Sequence, residues 1–115
     1  MVRGPEEVEY FDANGTPWDV KTPPSAFNLR PGQRDWTNPA RDGQSIFDEL
    51  TKKRLNPTDP EGTFPNLHTG IPEPRRVLLN TTYMNQNHYQ ALFKWLNDHL
   101  TNEQLGRIVE IQTRT

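Results

Sequence analysis

Three side chains near the start of the chain have types and spacing that suit phosphodiester chemistry: Glu9, Asp19 and Lys21. Facing carboxylates repel, which costs stability unless something offsets it, and a divalent cation does so. A lysine two residues beyond an acid on a strand points the same way and can hold a nucleophilic water or a phosphate oxygen. An acid on one strand with acid-x-Lys on the next therefore forms a candidate metal-dependent phosphodiesterase site. The same residues also read as a solvated charged face closed by an ordinary cross-strand salt bridge.

Whether these groups meet depends on a hairpin. Val8 and Tyr10 alternate with Glu7, Glu9 and Phe11, Trp18 and Val20 alternate with Asp19 and Lys21, and Asn14-Gly15 marks a turn between them. A two-residue loop at Asn14-Gly15 would set Tyr10 against Asp19 and mix apolar with charged residues on each face. A three-residue loop, Ala13-Asn14-Gly15, with Gly15 left-handed in a G1 bulge, pairs Phe11 with Pro17, Tyr10 with Trp18, Glu9 with Asp19 and Glu7 with Lys21. It puts Val8, Tyr10, Trp18 and Val20 on one face and the charged groups on the other. Because a one-residue slip exchanges the faces, burial selects this register. The expectation is an apolar face in the core and a polar face carrying the site.

The rest of the chain must support that hairpin. Its 115 residues suit one domain, and 31% hydrophobic content with 11 prolines predicts a small core among long irregular segments. The absence of cysteine excludes a disulfide framework and a thiolate metal site. No apolar run approaches membrane-spanning length. Met1 to Pro5 lacks the apolar region of a secretory signal, and the abrupt start reads as a domain cut from something longer. A net charge of −2 argues against a strongly basic nucleic-acid binder, while leaving room for an enzyme with a local basic patch.

Thr22 to Gly43 reads as a loop in which Arg30, Arg34 and Arg41 are interleaved with Phe27 and Trp36. Such a pattern can clamp phosphates and stack bases; it also fits a surface loop pinned by two aromatic anchors. Asp42 to about Arg54 is predicted helical, capped by Asp42 or Ser45, with Ile46, Phe47 and Leu50 as its apolar stripe. The prolines from Leu55 to Pro74 predict irregular structure, with His68 on an exposed loop. Arg75 to about Tyr83 is predicted to be a central strand, apolar on both faces at Val77-Leu78-Leu79.

Asn85 to Leu100 is the longest predicted helix, capped by Asn85, with Tyr89, Leu92, Phe93, Leu96 and Leu100 on one face and Trp95 off that stripe, facing a loop or a partner. His88 and His99 lie about 16 Å apart along it and cannot share a metal. Thr101-Asn102-Glu103-Gln104 reads as a capping box opening a short turn that Gly106 ends. Arg107 to Thr113 is a last strand, Val109 and Ile111 on one side, Glu110 and Gln112 on the other. The fold class is α/β (mixed α+β): a central mixed sheet flanked by helices, order β-β-α-β-α-β, with long Pro-rich loops.

Trp18-Asp19-Val20-Lys21-Thr22-Pro23, after an acidic strand and an Asn-Gly turn, resembles the active-site hairpin of the PD-(D/E)XK nuclease superfamily. More narrowly, the chain resembles the restriction-endonuclease-fold toxin domains of bacterial polymorphic and contact-dependent growth-inhibition toxins. The resemblance implies that Asp19 and Lys21 are the D/E-x-K element and that Glu9 is the earlier metal-binding acid, with Glu7 and Asp12 as alternatives. It implies a divalent cofactor, Mg²⁺ or else Mn²⁺ or Zn²⁺, held by Glu9 and Asp19, with Lys21 orienting the attacking water. It also implies an RNA (tRNA) or DNA substrate and a cognate immunity protein; Arg30, Arg34 and Arg41 are candidate contacts to the substrate backbone. Such domains are delivered by a secreted or cell-surface toxin into the cytoplasm of a neighbouring bacterium. The chain departs from the pattern in having almost no room for a helix before the hairpin, and in glutamate at position 9 where aspartate is usual.

Two other readings are open. A metal-independent ribonuclease would use His68 or His88 with Lys21 as acid, base and charge stabiliser. A non-catalytic interaction module would use the Pro-rich loops as its binding surface.

Overall fold

The computed structural model of the chain describes residues 2–3, 8–25, 37–51 and 62–112. A five-stranded mixed sheet runs in the order β1 (Val2–Arg3), β2 (Tyr10–Phe11), β3 (Pro17–Lys21), β6 (Arg76–Asn80), β7 (Ile108–Ile111). The first three strands are antiparallel, and β3, β6 and β7 are parallel. Helix α1 (Pro39–Thr51) lies between β3 and β6 in sequence, and α2 (Gln86–His99) and α3 (Asn102–Leu105) between β6 and β7. This is the expected mixed α/β class, with additions at the periphery.

The hairpin register is the one that burial selects. Tyr10 stands opposite Trp18 and Phe11 opposite Pro17. The loop closes through Gly15 N–H donating to the Asp12 carbonyl at 2.9 Å and Asp12 N–H to the Thr16 carbonyl at 3.1 Å. Gly15 sits at φ +80, and a Cβ there would also meet Asn66 Oδ1 at 2.3 Å, so glycine is required twice over.

The faces, however, are reversed. In the parallel pairing Asp19 is level with Val77 and Lys21 with Leu79. Val77 and Leu79 are fully buried in the main core with Ile46 and Leu50 of α1 and Leu92 and Leu96 of α2. Asp19 and Lys21 thus share the helix-covered face, and Trp18 and Val20 are half-buried on the other. The reason lies outside the hairpin: β6 supplies the fixed apolar rows, and its register with β3 decides which side of β3 faces the helices.

Helix α1 begins at Pro39, earlier than Asp42, because Asn38 caps it: Arg41 N–H donates to Asn38 Oδ1 at 3.0 Å. Residues 52–54 lie outside the described residues. Gly43 lets α1 and α2 approach closely, since a Cβ there would stand 2.3 Å from the Trp95 ring. Trp95 therefore faces α1, and its ring also stacks on His99 at a centroid distance of 4.0 Å. The Asn85 cap and the Thr101/Gln104 capping box form as expected.

Two other expectations are corrected. Prolines do not prevent pairing at Thr63–Pro65 (β4) and Pro72–Pro74 (β5), which form a two-stranded antiparallel ribbon. Proline is tolerated on strand edges, where no ladder donor is needed. Strand β6 ends at Asn80 and does not reach Tyr83. The Asn80 carboxamide accepts from Thr82 N–H at 3.0 Å and Thr82 Oγ1 at 2.6 Å, turning the chain.

Candidate active site at strand β3 and the helix termini

The hairpin does not bring Glu9 to Asp19. Glu9 N–H donates to the carbonyl of Trp18 at 3.1 Å, although Trp18 is already opposed by Tyr10. Two residues of the outer strand thus face one of β3, which is a β-bulge. The extra residue turns Val8 to the side of Phe11, where both are buried with Phe64, and leaves Glu9 exposed. Its assignment as a metal ligand beside Asp19 is therefore corrected. Glu7, the alternative first acid and expected partner of Lys21, lies outside the described residues.

Asp12, the other alternative, is committed to the hairpin loop. Its Oδ1 accepts from Asn14 N–H at 2.9 Å and Thr16 N–H at 3.0 Å, and its Oδ2 from Trp18 Nε1 at 2.8 Å. Burial pushes its carboxyl pKa up, but these hydrogen bonds and the nearby Arg76 outweigh burial and hold it below the ordinary value.

Asp19 and Lys21 do lie together, two residues apart on one face of β3 beneath α1. Asp19 is buried and Lys21 half-buried. The Lys21 ammonium lies 3.3 Å from Glu49 Oε1 on α1. Glu49 is the acid that sequence patterning missed, because its approach depends on how α1 crosses the sheet. The face thus carries acid, lysine, acid. Among the described residues, no group of three or more His, Cys, Asp or Glu side chains is placed to share a metal ion. Asp19 and Glu49 are the carboxylates of this face, and Mg²⁺ keeps several waters and often takes one or two carboxylates plus substrate phosphate oxygens.

Arg41 is exposed in the first turn of α1, about 12 Å along the helix from Glu49. Arg30 and Arg34 lie outside the described residues, as do Phe27 and Trp36.

The histidines are all engaged. His68 Nε2 donates to the Ala13 carbonyl at 3.1 Å, tying the β4–β5 turn to the hairpin loop, and His99 Nδ1 donates to the Trp95 carbonyl at 2.8 Å. His88 is the centre of a buried relay. Its Nε2 lies 2.6 Å from Asp42 Oδ2 and its Nδ1 2.9 Å from Ser25 Oγ. The carboxylate acceptor places the proton of the neutral imidazole on Nε2, so Nδ1 accepts from the serine hydroxyl. Ser25 Oγ in turn accepts from Asn85 N–H at 2.6 Å. This Ser–His–Asp chain joins the segment after β3 to the first turns of α1 and α2. Its residues stand 63 and 46 positions apart, so no local motif announces it.

The same end of the sheet, where the parallel strands finish and both long helices begin, carries a polar cleft of about 210 Å³ lined by Met84, Gln86, Tyr89, Glu110 and Gln112. Ligands of open α/β sheets bind at such an end. Here Glu110 accepts from Tyr89 Oη and Thr81 Oγ1, each at 2.9 Å. The bond to Glu110 raises the Tyr89 phenol above its ordinary pKa, with burial adding to it. Glu110 is level with Leu79 and so lies on the α2 side of β7, where it remains exposed. Among the described residues, no helix is long and apolar enough to cross a membrane.

In comparison with known proteins, the chain matches no family model, no curated protein and no solved structure.

Proposed function

We propose that this chain is a metal-dependent nuclease toxin domain that cleaves phosphodiester bonds of RNA (tRNA) or DNA in competing bacteria and is neutralised by a cognate immunity protein. The observation that carries the enzymatic part is the acid-x-Lys pair of β3, Asp19 and Lys21, on the same face as Glu49 of α1. Asp19 and Glu49 would hold Mg²⁺ or a similar ion, which supplies charge stabilisation at the phosphate. Lys21, released from Glu49 as the anionic substrate arrives, orients the attacking water or a phosphate oxygen. Delivery, target cell and immunity partner rest on the sequence resemblance alone.

The test is cleavage of plasmid DNA and total tRNA by wild type, Asp19→Asn and Lys21→Ala, with Mg²⁺ and with EDTA. Cleavage that needs the metal and is lost in both variants supports the proposal. Near wild-type cleavage by both variants sinks it.

The Ser25–His88–Asp42 relay favours a second reading, metal-independent acid–base cleavage centred on His88. Cleavage that persists in EDTA and disappears in a folded His88→Ala variant would select it.

A further inference from the structure

Both long helices pack on the Val77 and Leu79 side of the sheet; on the other side Tyr10 and Trp18 are half-buried and Arg76 is exposed. That side carries Tyr10, Trp18 and Arg76 in register across three adjacent strands, followed by the half-buried Val20 and Leu78 and the exposed Val109. The Tyr10 and Trp18 rings are parallel to within 3°, with centroids 6.2 Å apart. The Arg76 guanidinium lies over the Trp18 ring, 6.0 Å from its centre. Trp18 is fixed from its edge by the bond from Nε1 to Asp12, which orients the ring without using its face.

We propose that this face is a platform for single-stranded nucleic acid, on which bases stack against Tyr10 and Trp18 while Arg76 meets a phosphate. Planar bases match parallel aromatic rings, and an exposed guanidinium beside them supplies the charge complementary to the backbone. Sheets that present aromatics on adjacent strands can take unpaired bases in this way, whereas the bases of a duplex are already stacked on one another. Asp12, whose charge Arg76 faces, is occupied by the loop and by Trp18. Arg76 and, at the register position beyond Tyr10, Arg3 are the cations of this row in a chain of net charge −2, so stacking dominates and the salt dependence is shallow, about one to two phosphates' worth.

The site is on the opposite face from Asp19 and Lys21, and its binding needs no cleavage. Fluorescence anisotropy of labelled single strands of about ten nucleotides, oligo-dT and oligo-U, and of a duplex of equal length, is measured with the full chain in EDTA. The single strands should bind more tightly than the duplex. Tyr10→Ala and Arg76→Ser should each weaken binding by about tenfold. Trp18→Phe, which keeps a ring, should retain most of it. Lys94→Ala, exposed on α2, should leave it unchanged, and because binding is read in EDTA, failure here and failure of the nuclease reading are separate results. Tyr10→Ala could disturb the short hairpin, but Arg76→Ser changes an exposed side chain and keeps the test decisive. Equal affinity of Arg76→Ser and wild type, preference for the duplex, or no binding would each overturn the platform, including where the face instead takes a protein or a second copy.

Discussion

The Lys21 ammonium is held 3.3 Å from the Glu49 carboxylate, with Asp19 buried two residues before it on the same strand face. The lysine is therefore positioned by a helix rather than by the facing strand of its own hairpin. Both partners keep some solvent contact, 27% for Lys21 and 19% for Glu49. Their pairing is thus expected to contribute only about 0–1 kcal/mol.

A first prediction separates structure from chemistry at that pair. Glu49→Gln should change stability by less than about 1 kcal/mol; under the proposed nuclease reading it should lower metal-dependent cleavage by about tenfold or more, because one of the two carboxylates proposed to hold the metal is lost. Thermal melting and initial cleavage rates on the same preparation decide it. Unchanged cleavage would remove Glu49 from the site.

The buried relay predicts a different pattern. Asp42→Ala leaves the His88 N–H without its acceptor inside the protein, and should cost about 1–3 kcal/mol. Under the metal reading, cleavage per folded molecule stays near wild type. Denaturant midpoints with activity normalised to folded fraction check this. Strong loss of activity at unchanged stability would move His88 and Asp42 into the catalytic machinery.

At the helix contact, Gly43→Ala should destabilise despite alanine's better helix propensity. The new methyl would fall 2.3 Å from the Trp95 ring, and overpacking of this kind costs about 1–3 kcal/mol, more than the roughly 1 kcal/mol that alanine gains over glycine in a helix. A melting temperature at or above that of wild type would refute it. The double variant Gly43→Ala with Trp95→Leu should recover part of the loss.

Acid sensitivity follows from Asp12. Its folded pKa lies below the ordinary 3.8, so its stabilisation is fully present above that value and fades as pH falls through the folded pKa. The stability advantage of wild type over Asp12→Asn should accordingly be constant near neutrality and shrink below about pH 4. Denaturant unfolding of both proteins from pH 7 to pH 2.5 measures it. An advantage that grows on acidification would contradict the sign.

Local chemistry was legible in the sequence, and relative orientation was not. The Ala13-Asn14-Gly15 loop, the Asn85 cap, the Thr101/Gln104 box and the Leu92, Leu96 and Leu100 stripe depend on neighbours within a few residues, and all form. The facing of β3 depends on its pairing with β6, more than fifty residues away. An alternating strand of Trp, Asp, Val and Lys offers no internal statement of which side the helices will take. The bulge at Glu9 is similarly silent, since it arises from Val8 seeking the cluster of Phe11 and Phe64. The placing of Asp19 and Lys21 on one strand face was thus readable, while the approach of Glu49 to Lys21 required the crossing of α1 over the sheet.

The Ser25–His88–Asp42 relay also bears on the order of assembly. Its three members are drawn from the segment after β3, from the first turns of α1 and from α2, which enters the chain much later. Closing it requires the parallel pairing of β3 with β6 and the docking of both helices, whereas the β2–β3 and β4–β5 ribbons close locally. Non-local contacts repay their loop-closure entropy last, so the relay is expected to close after the rate-limiting step of folding. Its bonds then act mainly as a brake on unfolding, prolonging the lifetime of the native state while leaving the speed of its formation almost untouched.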